Sequence, residues 1–244
     1  KNSTKYTNLC EPEEGEIGLL DIKKGSFDSL TSTRALNWQL GSRAQWINDN
    51  QIIFNDIENN QQVSKKFDTS KSKIIQTFEE PFWSISPDKK LAASLNFTRI
   101  KQKRPGYGYI GKNKNNTEEV LTIFDLESGK NIYKKTLKEI LRFIQFNDEN
   151  DPYLNHITWS PCSTKFLTMF HHESDKKPRA TYPIVYDIKN ESWSIIDKSG
   201  YSSNKKYFIN SKNKNYIFFK IDIKNKSKLY KIVKKYRPVG IFNL

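Results

Sequence analysis

The chain has three histidines, His156, His171 and His172, and all lie in its third quarter beside Asn155 and Glu173. Imidazole is the side chain best suited to exchanging protons near neutral pH. His156 is therefore the candidate general base. A base that builds charge on a substrate needs a cation to stabilise it, and Arg99 and Arg104 are the candidates for that part. His172 and Glu173 offer one nitrogen and one oxygen donor set, which makes them the candidate metal ligands and a divalent ion the candidate cofactor. Each group has a plainer reading beside this one. His156 reads equally as a packed histidine at a strand start, and His-His-Glu as a solvated loop.

Further groups are suited to binding. Arg104-Pro105-Gly106-Tyr107-Gly108-Tyr109 combines a cation, glycines that allow unusual backbone angles, and two rings able to stack on sugar or base faces. Leu36–Arg43 (LNWQLGSR) is dense in polar and aromatic side chains. Asn37, Trp38, Gln39 and Arg43 from that stretch join Tyr107, Tyr109, Asn155 and His171 as candidate ligand contacts.

Strands must position these groups. In PFWSISPDKKLAASLNF (Pro81–Phe97) a strand runs into a Ser-Pro-Asp-Lys-Lys turn and a second strand runs back. Pro87 presets φ for the turn, and Asp88 closes it on its own backbone. The unit recurs in ITWSPCSTKFLTMF (Ile157–Phe170), and more loosely in Ala44–Asp56 and Lys206–Lys220. Hairpins repeated about every 45 residues predict an all-β fold, a β-propeller of four-stranded antiparallel blades. About five blades are expected within one domain spanning 1–244, as a complete ring or as part of a larger one. Residues 1–14 read as an irregular lead-in and Glu16–Ile22 as a strand of a first, partial blade. One blade spans Ala44–Phe78. The next starts at Phe82 and carries an insertion at 98–116, and Leu137–Phe146 fits a short helix or a strand. The third blade is expected as strands His156–Trp159, Lys165–Phe170, Tyr182–Ile188 and Glu191–Ile196. The fourth would use Lys206–Asn210, Tyr216–Ile223 and Lys228–Lys234.

Strand direction alternates within a blade, so parity assigns every loop to a rim. Loops before the first strand and between the second and third share one rim, where all the candidate residues fall, with Tyr201-Ser202-Ser203 from the next entry loop. The SPDKK and LESGK turns share the other and read as solvated scaffold.

The net charge of +14 invites an acidic partner. Lysines are spread along the whole chain, however, and a coding bias that also enriches Asn and Ile accounts for them equally well. Nucleic acid is disfavoured as a partner, because outside the insertion no basic stripe is interleaved with aromatic residues. There is no apolar run of about 18 residues to span a membrane. Cys10 and Cys162 form no disulfide framework or metal spacing, which favours a reducing, cytoplasmic setting. A periplasmic or secreted location applies if a signal peptide has been removed.

The strand–SPD–strand unit, followed by a strand ending in Phe-Asp-Leu-Glu-Ser-Gly-Lys, resembles the repeat of TolB-like β-propellers. LNWQLGSRAQWI, SPDKKLAASLNFTR with RPGYGY, and LNHITWSP with FHHE are similar to a group of bacterial propeller proteins, some encoded near polysaccharide-biosynthesis genes. The third piece also resembles, more distantly, oligogalacturonate lyases. That resemblance implies a divalent metal, a histidine base at the position of His156, an arginine partner, and a His-Glu pair at His172-Glu173. The chain departs from it after Ser203, where no histidine follows. Three readings stand: recognition of an acidic oligo- or polysaccharide, a protein-interaction scaffold without catalysis, and metal-assisted polysaccharide cleavage.

Overall fold

The computed structural model describes residues 14–104, 106–113, 118–144, 152–174, 177–196 and 201–202, together with 227, 230, 231, 234 and 235. At 173, 174, 177–179, 201 and 202 it describes the backbone alone. The chain divides into two compact units, Lys1–Ser203 and Asn204–Leu244.

The first unit is built of antiparallel meanders. β1 (Gly15–Asp21) and β2 (Ser26–Thr33) form a two-stranded sheet. β3 (Gln45–Asn48), β4 (Gln51–Glu58), β5 (Gln61–Asp68) and β6 (Lys73–Phe78) form a four-stranded sheet in chain order, as do β7 (Ser84–Ile85), β8 (Leu91–Leu95), β9 (Glu119–Asp125) and β10 (Asn131–Thr136). A third such sheet contains β11 (Tyr153–Trp159), β12 (Lys165–Ser174), β13 (Lys177–Asp187) and β14 (Ser192–Ile195), with β15 (Tyr201–Ser202) also paired to β13. The leading strands touch in order, β3 against β7 and β7 against β11. Sheets that meet through their first strands are arranged as propeller blades.

Apolar side chains fill the spaces between sheets, which is why β4 and β9 are buried along nearly their whole length. Ile17, Ile52, Phe54 and Phe67 form a layer with Leu30 beside the first sheet. Ile53, Phe78, Phe82, Ile85, Phe124 and Leu126 join the first two four-stranded blades. The largest cluster runs from Trp83, Phe97 and Tyr109 through Leu154 and Ile157 to Phe170 and Tyr186.

The three four-stranded sheets lie where the blades from Ala44, Phe82 and His156 were expected, with differences in several elements, among them β13, which begins five residues before Tyr182. The insertion opens with a helix, α1 (Phe97–Lys103), because Asn96 accepts the Arg99 N–H at its start and Phe97 and Ile100 face inward. The ambiguous stretch after β10 is also helical, α2 (Leu137–Phe143), started by a Thr136–Glu139 capping box. β11 begins three residues before His156, and β12 extends past Phe170, so His171, His172 and Glu173 lie within a strand and not in the loop after it. In the second unit, Ser227, Tyr230, Lys231, Lys234 and Lys235 are helical where a strand was expected over Lys228–Lys234. In the sequence Leu229, Ile232, Val233 and Tyr236 recur at helical spacing. The expected strands Lys206–Asn210 and Tyr216–Ile223 lie outside the described residues. Among the described residues no helix is long and apolar enough to cross a membrane.

Candidate functional site

Three loop systems meet on the rim that parity assigns to ligand contact. The loop before β3 is closed by Asn37, which is buried and whose Oδ1 accepts the N–H groups of Gln39 (2.9 Å) and Leu40 (3.2 Å). Trp38 and Gln39 project outward, Trp38 with 66% of its surface exposed. Arg43 ends the loop in a left-handed conformation (φ 59) and turns its side chain inward. Its Nε donates to the Trp83 carbonyl (2.7 Å), and its guanidinium lies over the Trp83 ring at 5.0 Å. Burial holds Arg43 below the ordinary arginine value.

The insertion between β8 and β9 is an anchored arm. Lys112 donates its N–H to Asn60 and accepts one from Gln62, both at 2.8 Å. The Gln62 Nε2 reaches the carbonyls of Tyr109, Ile110 and Gly111 at 3.1–3.3 Å. Gly108 (φ 80) lies so close to α1 that a Cβ there would be 2.3 Å from the Phe97 carbonyl oxygen. Only glycine fits this approach. The arm presents Arg104, at the end of α1, with its guanidinium 5.7 Å from the Tyr107 ring.

Tyr109 is a core residue and faces no ligand. It is 1% exposed, packs 4.7 Å from Phe97, donates its hydroxyl hydrogen to Gly41 and accepts from Asn55 Nδ2. Burial raises its pKa. Arg99, a candidate charge stabiliser, instead donates Nε and Nη2 to the Pro152 carbonyl at 3.1 and 2.9 Å, tying α1 to the entry of β11.

His156 is the extra residue of a β-bulge. The β11–β12 register shifts between Asn155 and Ile157, and His156 adopts φ 59. Its N–H is taken by the Asn155 Oδ1 at 2.9 Å. Asn155 is thereby the residue that holds the bulge, while its own side chain is buried. The bulge lifts the imidazole out of the sheet to 5.3 Å from the Trp83 ring and 6.3 Å from that of Tyr107. Partial desolvation, then Arg43 and Arg104, hold His156 below its ordinary pKa. Neutral imidazole is the form a base requires.

His171 lies one strand further out, stacked on Tyr153 at 4.8 Å, with its Nδ1 sharing a hydrogen bond with the Thr181 hydroxyl at 2.9 Å. Its Nε2 is buried without a hydrogen-bond partner among the described residues. Burial, with Arg104 and His156 adding to it, brings its pKa down to about 3. His172 follows on β12 and is buried. Neighbours in a strand face opposite sides, so His171 and His172 do not converge. Among the described residues no three His, Cys, Asp or Glu side chains gather as a metal group, and the Glu173 side chain lies outside them.

The structure thus brings together Arg43, Arg104, Tyr107, His156 and His171. The sequence reading missed Trp83, the platform under Arg43, which its strand pattern marks only as core. It also missed Asn55, buried at the rim end of β4. The Asn55 side chain donates to the Phe82 carbonyl and accepts the Phe82 N–H, each at 2.8 Å, binding one blade to the entry of the next.

No family model matches the chain, and no curated protein matches it in sequence. Solved structures similar to it include TolB from Acinetobacter baumannii, with 14% identity over 74% of this chain and a TM-score of 0.45. The tricorn protease is similar at 15% identity over 64% of the chain, with a TM-score of 0.38. The chain spans 37% of the length of that TolB and 13% of the tricorn protease.

Proposed function

We propose that this rim binds an acidic oligo- or polysaccharide, with Arg43 and Arg104 pairing to carboxylates and Tyr107 and Trp38 offering ring faces to the sugars. One observation carries the reading. Two guanidiniums converge around an imidazole, and no carboxylate among the described residues forms an ion pair with either of them. Among the described residues Arg43 donates through its Nε alone, which leaves its terminal nitrogens to a bidentate acceptor. The similarity of RPGYGY to propellers encoded near polysaccharide genes supports the same ligand class.

Calorimetry with uronic-acid oligosaccharides and neutral sugars of equal length tests this. Acidic sugars are expected to bind and neutral ones not. Arg104→Ala is expected to weaken binding by roughly 10- to 100-fold, the loss of one charge-assisted pair. Equal binding of both sugar classes, or none of either, overturns the proposal.

A further inference from the structure

The rim groups include two cation-covered rings near one imidazole. On one side Arg43 covers the Trp83 ring at 5.0 Å, and on the other Arg104 covers the Tyr107 ring at 5.7 Å. The His156 imidazole stands between the two covered rings, 5.3 Å from one and 6.3 Å from the other. The groups that face it are Arg43 from the loop before β3, Trp83 from the lead-in to β7, Arg104 and Tyr107 from the arm, and His171 from β12. Both neighbouring formal charges are positive. A proton on His156 would add a third.

We infer that a carboxylate seated between Arg43 and Arg104 binds together with one proton, which His156 takes up, so that His156 sets the preference of the site for anionic over neutral ligands. This inference rests on the acidic-ligand reading. The electrostatics follow from the geometry. In the free site partial burial first, and then the two guanidiniums, oppose imidazolium. An anion between them offsets their charge and offers imidazolium an opposite charge and an acceptor. The bound site therefore holds the proton more tightly than the free site. By linkage, affinity then rises as pH falls through the window between the bound and free values. The rise stops below the free value, where His156 is protonated in both states. Above the bound value it is protonated in neither. The backbone supports the role, because the left-handed bulge residue projects its ring from the sheet instead of into the blade.

The test is calorimetric titration of the whole chain with a hexuronic-acid trisaccharide, at fixed ionic strength, from pH 8 to pH 5. Repeats at pH 6 in buffers of different ionisation enthalpy read the protons taken up. The ligand carboxylates stay ionised over this range. The expected results are net proton uptake of roughly half a proton per site where affinity changes most steeply, and affinity rising roughly tenfold in all, both the consequence of about one pKa unit between free and bound states. His156→Asn should abolish the uptake and flatten the pH dependence, and asparagine tolerates the left-handed backbone so the bulge is kept. His171→Gln should retain the slope. A wild-type affinity independent of pH, or a slope that persists in His156→Asn, overturns the inference and leaves acidic-sugar binding standing. Failure to bind the trisaccharide at every pH overturns the binding reading beneath it.

Discussion

In the unit Lys1–Ser203 the turn aspartates of one rim and the two arginines of the other use charge in different ways. On the turn rim four aspartates accept from the backbone of their own turns. Asp125 Oδ1 accepts from the N–H groups of Glu127 (3.1 Å) and Ser128 (2.6 Å). Asp68 does the same for Ser70 and Lys71, both at 3.0 Å, and Asp187 for Asn190 at 3.1 Å. Asp88 bonds the Ser86 hydroxyl, and its N–H reaches Ser163 in the equivalent turn of the next blade. The hydrogen bonds from Ser128 hold the Asp125 carboxyl below the usual carboxylate range. On the loop rim Lys65 pairs with Asp56 and Glu58, but Arg43 lies over a ring and on a carbonyl and Arg104 over a ring, and neither forms an ion pair among the described residues. Local satisfaction closes a turn and leaves little for a partner. Cations fixed in place by distant elements stay available to an external anion.

If the loop rim depends on long-range fastening, Asn55→Leu should have the largest effect. It strands the Phe82 N–H and carbonyl in a buried position and leaves the Tyr109 hydroxyl one donor short. A loss of roughly 3 kcal/mol in urea unfolding is expected, at 1–3 kcal/mol for each orphaned buried group. A loss below about 1 kcal/mol would show that the rims are equally local, since single exchanged hydrogen bonds cost that little.

His171→Gln probes the same rim through acid. The folded pKa lies near 3, well below that of a free histidine. The unfolded chain therefore binds this proton first as pH falls below about 6.5, and stability is lost from there down to the folded value. The wild type should lose roughly 1.4 kcal/mol per pH unit from this group within the window, on top of the carboxylate contribution. Removing the imidazole should lower the slope of unfolding free energy against pH by one proton between pH 6 and pH 4. An unchanged slope would mean that His171 does not stay neutral.

Asp125→Ala tests the turn rim and should be the mildest. Loss of a local backbone cap costs about 1 kcal/mol. The affinity for acidic sugar measured in parallel should not move. A change there would couple the two rims and remove the contrast.

The blades were readable because each is a local pattern. The Ser86-Pro87-Asp88 turn sits between two strand-forming runs, and the same signal returns at Ser160-Pro161. Parity then placed Arg43, Arg104, Tyr107, His156 and His171 on one rim. A bulge is a mismatch between two strands and leaves no mark in one of them, so His156 read as a strand start. Tyr109 read as a contact because its burial depends on Asn55 and Gly41, both far from it in the chain. The length of β12 was underestimated because the polar run His171-His172-Glu173 carries the composition of a loop. β13 pairs along it and takes up its backbone groups.

The meander order also has a consequence for synthesis. Each four-stranded blade pairs strands adjacent in sequence, so it can close as soon as its own residues have left the ribosome. The clamp cannot. Arg43 and Trp83 emerge early, the arm follows, and His156 comes only with a later blade. Until β11 and β12 are in place, the nascent chain displays two arginine-capped rings with nothing between them. The scaffold thus matures blade by blade, and the site is completed only when the third four-stranded blade has been made.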